Sequence, residues 1–437
     1  MTTTQTYLLR GAALLGGDAA DLLLRDGEIA DIGAGGTLNP EDGTVIPAEG
    51  LVALPGLVDL HTHLREPGRE DAETVESGTR AAALGGFTAV HAMANTDPVA
   101  DTAGVVEQVW RLGVQAGWCD VQPIGAVTES LAGEQLAELG AMATSAANVR
   151  VFSDDGKCVH DPMVMRRALE YVKAFNGVIA QHAQDPRLTA GAQMNESELS
   201  GRLGLRGWPA VAEEAIIARD ILLTEHVGSR LHVCHVSTAG SVELIRAAKA
   251  RGVAVTAEVT PHHLMLTEDL AATYDPTFKV NPPLRTEADV QALRAALADG
   301  TIDVVATDHA PHPTEDKDCE WSAAAMGMIG LETALSVVAG TMVRPGLLDW
   351  AGVADRMSWA PAAISGIPGQ GRPLAVGEPA NVVLIDPEAE WLVVPSEVAS
   401  RSHNTPFRGL SLPAKVRATF LRGRAVVLDG RLQEDRW

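Results

Sequence analysis

Eight times between residues 56 and 307, a short apolar, β-branched run is answered by a helical pattern or a loop of similar reach. The runs are GLVDLH, TAVHAM, DVQPIG, NVRVFS, GVIAQH, RLHVCH, VAVTAE and IDVVAT. Between most of them lie stretches such as VESGTRAAALGG, PMVMRRALEYVKAF, EEAIIARDILLTEH and AGSVELIRAAKARG, with apolar residues at three-and-four spacing. Strands that are nearly all apolar must be covered on both faces, as in a parallel sheet. Eight strand-then-helix units predict an α/β fold that closes as a (β/α)8 barrel, here expected over residues 54–366. The two ends of the chain read differently. DLLLRDGEIADIGAGG carries Asp26-Gly27 between apolar runs, and ANVVLIDP and VRATFLRGRAVVLDGRL are strand-rich with Asp429-Gly430 as another turn. Residues 1–53 and 367–437 are therefore expected to form one small β-sandwich domain from both termini.

In such a barrel, function gathers at the C-terminal ends of the strands. His61 and His63 end the first strand, Asp154 and Asp155 the fourth, His182 the fifth and His235 the sixth. Asp308, His309 and His312 end the eighth. Residues two apart on a strand share a face, so His61 and His63 can hold one cation together. Taken singly, a strand-end histidine reads as a hydrogen-bonded structural residue, and DDG as a turn. Five strand ends carrying metal-ligand types point together to a metal site. Imidazole and carboxylate suit zinc, and this set exceeds the ligands of a single tetrahedral ion. His232 lies three before His235 and is expected to face the opposite way. His160, His226 and His403 are read as loop or surface residues.

Bulk properties narrow the class further. A formal net charge of −23 argues against nucleic acid and anionic membrane surfaces as partners. No apolar run reaches the length of a membrane span. The opening MTTTQTYLLRGAALLGG lacks a basic segment and a clean apolar core, so no secretory leader is expected. Cys119, Cys158, Cys234 and Cys319 are scattered without a C-x-x-C pair, which favours free thiols and a cytoplasmic setting. Cys158, in a loop near a candidate ligand, is read as structural rather than catalytic.

PGLVDLHTHLREPG, GGFTAV, ANTDP, FSDDG, HVCHVSTAG, TPHHL, KVNPPLR, ATDHAPH and GLETAL together resemble the amidohydrolase superfamily, and within it the bacterial class I dihydroorotase family, along almost the whole chain. The resemblance implies two zinc ions per chain, bridged by Asp155 and a hydroxide. One ion would sit on His61, His63 and Asp308, the other on His182 and His235. Asp155 is taken over Asp154 because its 27-residue spacing to His182 matches the family. Many relatives use a carbamylated lysine as the bridge, whereas the class I pattern has an aspartate there.

The resemblance further implies Asp308 as catalytic proton shuttle, and a substrate pocket of His63, Arg65, Asn95, Asn281, His312, Met326 and Gly327. Arg65, Asn95 and His312 would bind the substrate carboxylate, Asn281 the ring amide, and the backbone at Met326 and Gly327 the ring. The implied reaction is reversible cyclisation of N-carbamoyl-L-aspartate to L-dihydroorotate, third step of de novo pyrimidine biosynthesis. The alternatives are another cyclic-amide hydrolase, such as a hydantoinase or allantoinase, and a non-catalytic scaffold for aspartate transcarbamoylase. A homodimer and association with that transcarbamoylase are left open. The chain departs from the pattern at Ala94, where proline is common, and at AQD after His182, where an acidic pair is common and a weaker hydrogen-bond acceptor is now expected. It also departs at the loop GKCVHDP after Asp155.

Overall fold

The computed structural model describes residues 5–40 and 42–434; the first four residues of the stretch read against a leader lie outside them. Each of the eight runs contributes a strand: Leu57–Thr62, Phe87–Ala92, Asp120–Pro123, Val151–Phe152, Val178–Gln181, Leu231–Val233, Val255–Val259 and Val304–Val305. The first three pair in parallel, as do the last five. Parallel bridges Gly125↔Phe152 and Thr62↔His309 join the two groups into a closed (β/α)8 barrel. Every residue of the first, second and fifth strands is buried. That is the physical reason these runs show no polar alternation: helices cover one face and the barrel interior fills the other.

The helices start where local chemistry allows. Thr74 and Ser77 form a reciprocal cap for the helix Val75–Leu84, each side chain accepting the other's backbone N–H. Pro162 opens the helix Pro162–Val172, and the Asp161 carboxylate accepts from the Met163 and Val164 N–H groups. The long helix Val211–Val227 stops at Gly228, whose φ of 65° suits a residue without a Cβ.

Both chain ends meet in one sheet, nine-stranded among the described residues. The strand Val52–Pro55 lies between Tyr7–Leu14, which it parallels, and Val382–Leu392, which runs antiparallel to it. The hairpin at Asp26-Gly27 forms as its sequence indicates, with both residues at positive φ (52° and 87°). The sheet folds back on itself: the Ile29 N–H donates to the Glu378 carbonyl at 2.9 Å, and the Ala380 N–H to that of Gly27 at 2.9 Å. Tyr7, Leu9, Leu22, Val382, Leu384 and Phe420 fill the space enclosed. After Leu392 the chain leaves this sheet and packs on the barrel mouth. There the Ser402 hydroxyl donates to the Ala72 carbonyl (2.7 Å) and the Asn404 amide to that of Ala310 (3.0 Å). Among the described residues no helix is long and apolar enough to cross a membrane.

Candidate metal centre

The first strand delivers His61 and His63 to the barrel mouth, on the same side two residues apart. His61 Nδ1 lies 2.5 Å from Glu258 Oε1, and its Nε2 lies 3.4 Å from Asp155 Oδ1 and 3.5 Å from Asp308 Oδ1. His63 Nε2 is 3.0 Å from Asp308 Oδ1 and 3.3 Å from Asp155 Oδ2, while its Nδ1–H donates to Asn95 Oδ1 at 2.9 Å. Across the mouth, His182 Nδ1 and His235 Nε2 stand 3.2 and 3.3 Å from the same Asp155 oxygen and 2.9 Å from each other. Asp155 thus lies between two groups, one with His61 and His63 and one with His182 and His235, each compact enough to hold a cation. Its neighbour Asp154 turns the other way and accepts the backbone N–H groups of Val127 (2.8 Å) and Thr128 (3.0 Å). The two adjacent aspartates split into a structural anchor and a site ligand type.

The electrostatics fit a bound divalent cation. Burial alone would raise the Asp155 carboxyl, but His61, with His182 and His235 beside it, holds it well below the usual carboxylate range. Asp308 also resists burial and is held at about 2, chiefly by His61 and His63. Conversely His61, disfavoured as a cation by burial, is pushed well above its ordinary value by Asp155, Glu258 and Asp308. With three buried carboxylates around it, His61 takes on the positive charge that a bound cation would otherwise supply. Buried His61 Nε2 has no hydrogen-bond partner among the described residues and faces Asp155 and Asp308, the position a metal-ligating nitrogen would take.

Glu258 is the residue that reading by strand ends overlooks. It accepts from His61 Nδ1–H, from His232 Nε2–H at 3.0 Å and from the His235 backbone N–H at 3.1 Å. An acid closing the apolar run VAVTAE was the available signal. The expectation that His232 faces away from His235 is wrong. His232 points into the barrel onto Glu258 and Thr256 (2.8 Å). Two-residue alternation applies only inside a regular strand; this one ends at Val233, and His235 adopts φ 31°.

The expected substrate residues surround the same mouth. Arg65, itself at φ 62°, is half-buried and donates from Nε to the Pro311 carbonyl at 3.1 Å. The His312 Nε2–H donates to the Met326 carbonyl at 3.0 Å. Burial, with the Arg65 charge beside it, pushes His312 down to about 3, so it is neutral. Gly327 is pressed against that ring: a Cβ there would come 2.7 Å from His312 Nε2. Its N–H is engaged with the Lys279 carbonyl (3.0 Å) and its own carbonyl with Lys317 and Asn404 (both 3.1 Å). Asn281 donates from Nδ2 to Gln184 Oε1 at 3.1 Å, and its buried Oδ1 has no partner among the described residues. Gln184 also accepts from His182 Nε2–H at 2.7 Å, so an amide oxygen stands where an acid is common. Cys158 is buried with its thiol pushed up to about 12, as a structural cysteine would be. His262, buried with Nε2 unpartnered among the described residues, is a further ring that the sequence reading left unassigned.

Residues 50–241 match the family described as Dihydro-orotase-like. A dihydroorotase of Streptomyces coelicolor is 69% identical over 97% of this chain and 99% of its own length. One of Leifsonia xyli subsp. xyli is 65% identical over 98% of each. One of Mycobacterium tuberculosis is 57% identical over 98% of this chain and all of its own. Among solved structures, an L-hydantoinase (dihydropyrimidinase) from Arthrobacter aurescens superposes with a TM-score of 0.86 at 27% identity, covering 98% of this chain and 97% of that one. The dihydropyrimidinase from Brevibacillus agri NCHU1002 (TM-score 0.82, 22% identity, 98% and 96% covered) shares the fold.

Proposed function

The chain belongs to the dihydroorotase family, and on that premise we propose that its barrel mouth interconverts N-carbamoyl-L-aspartate and L-dihydroorotate with divalent metal bound. The observation that carries the reading is the convergence of four buried imidazoles and two buried carboxylates, neighbouring ligand atoms 2.9–3.5 Å apart, with His61 Nε2 unpartnered among the described residues. His61, His63 and Asp308 would hold one zinc ion, His182 and His235 a second, with Asp155 shared. Zinc there supplies a Lewis acid that brings the pKa of water to about 7 and polarises the amide carbonyl.

The protein's own groups do the rest. In the ring-opening direction a water oxygen bonds to the ring amide carbon, and the Asp308 carboxylate takes the proton released. The C–N bond breaks, and Asp308 returns that proton to the leaving nitrogen. Biosynthesis runs these steps backwards and expels water. Asp308 suits the task because its carboxyl is ionised at neutral pH. The Arg65 guanidinium offers paired donors to the substrate carboxylate, which orients the ring. Asn281 Oδ1, buried and free, accepts a substrate N–H. All six ligand types are present, which speaks for an active enzyme over a scaffold subunit.

Parallel assays with dihydroorotate, hydantoin and allantoin test this reading. Turnover of dihydroorotate should be abolished by a chelator and restored by zinc, with one to two zinc ions per chain. Hydantoin or allantoin turned over in preference to dihydroorotate would replace it with the broader cyclic-amide hydrolase reading.

A further inference from the structure

The direction of every hydrogen bond around Gln184 can be derived from one fixed end. A backbone carbonyl can only accept, so the Thr189 hydroxyl must spend its proton on the Asp185 carbonyl, 2.9 Å away. Thr189 Oγ1 is then an acceptor, and the Gln184 atom 2.8 Å from it must be the donor Nε2. That turns Gln184 Oε1 toward His182 Nε2 (2.7 Å) and Asn281 Nδ2 (3.1 Å), and both must donate to it. The consequences reach the centre from two sides. His182 carries its proton on Nε2 and presents the lone pair of Nδ1 toward Asp155 and His235. Asn281 is held with Nδ2 inward, which leaves the buried, unpartnered Oδ1 as an acceptor.

We propose that Gln184 is a positioning residue that couples the metal centre to substrate recognition, fixing the His182 tautomer for metal and the Asn281 amide for a substrate N–H through one shared oxygen. The substrate half rests on the reading above of a cyclic-amide substrate; the metal half does not. The pair of residues that Gln184 serves comes from separate segments of the mouth, His182 after the fifth strand and Asn281 in the loop after the seventh. A side chain that merely filled space would not need an acceptor between them.

Gln184→Met keeps the volume and removes the acceptor, and Gln184→Glu restores an acceptor for both donors. In Gln184→Met, zinc affinity should fall about 10- to 100-fold, and KM for dihydroorotate should rise by roughly fivefold to tenfold. Nitrogen-15 spectra of the metal-free protein should change from a single Nε2-protonated His182 to a mixture of tautomers. Gln184→Glu should recover zinc affinity and the single tautomer relative to Gln184→Met. Gln184→Met with wild-type zinc affinity and one His182 tautomer overturns the proposal. If the wild type binds zinc but ignores dihydroorotate, the substrate reading fails while the zinc and tautomer measurements still decide the role of Gln184. Should Gln184→Met not fold, Thr189→Val releases the anchor from one residue further out. It must weaken zinc binding in the same direction, and an unchanged affinity overturns the proposal.

Discussion

The chemistry depends first on the protonation and direction of a few side chains. Asp308 stands 3.0 Å from His63 Nε2 with its carboxyl held down at about 2, so it enters the reaction as a base. Asp308→Asn removes the proton acceptor and leaves His61, His63, Asp155, His182 and His235 in place. It should retain zinc, measured by metal analysis, while kcat falls by about 10²- to 10⁴-fold. A near wild-type rate would assign the proton transfer to another group. Arg65→Met tests recognition at the same scale. The guanidinium stays charged despite burial, which lowers it to about 10. Its loss should raise KM for the carboxylated substrate at least tenfold, with a smaller change in kcat; an unchanged KM would contradict the assignment.

At the scale of elements, the barrel strands are tied beneath the centre by buried acids. Asp59 on the first strand accepts from the Thr307 N–H after the eighth (3.0 Å) and from the His61 N–H (3.0 Å). Glu258 on the seventh joins the first and sixth through His61, His232 and the His235 backbone. Glu258→Gln keeps the shape but supplies one acceptor oxygen where three donors converge. It should fold, with zinc affinity lowered about tenfold in a chelator competition. Glu258→Leu leaves all three donors buried without partners, at about 1–3 kcal/mol each. A large drop in Tm is expected even for metal-free protein. Equal Tm for Leu and wild type would mean that water reaches these groups.

At the scale of the whole molecule, the segment that returns from the terminal sheet to the barrel mouth introduces a pH dependence. Glu332 is half-buried under it, accepting from the Ala399 N–H at 2.8 Å. Burial, helped by the charge of Glu73, raises its carboxyl from 4.5 to about 7 against the opposing N–H groups of Ala399 and Ser400. Between those values the folded protein holds a proton that the unfolded chain has released, so stability falls as pH rises from about 4.5 to about 7. Glu332→Gln should be no more stable than wild type near pH 4.5 and more stable above pH 7, by about 2–3 kcal/mol. Denaturant unfolding at the two pH values measures this, and a gain independent of pH would exclude titration of Glu332 as its cause.

The sequence alone determined the architecture and the residue types at its working end. Eight apolar runs without polar alternation need cover on both faces, and a closed parallel barrel with helices outside provides it for all eight. The turn pairs Asp26-Gly27 and Asp429-Gly430 were equally legible, because positive φ is a local preference. Tertiary structure alone decided which atoms face the centre. Asp154 and Asp155 are adjacent and chemically identical; family spacing favoured Asp155, and the contacts of Asp154 with the Val127 and Thr128 N–H groups and the Thr128 hydroxyl give the physical reason. His235 shares the interior with His232 because the strand ends at Val233, before His235, a fact of geometry beyond any periodicity. Glu258 meets His61 from 197 residues away, and Gln184 meets Asn281 from 97. Hydrogen-bond direction is set by partners in space, and closing the barrel is what brings those partners within 3 Å or so of one another.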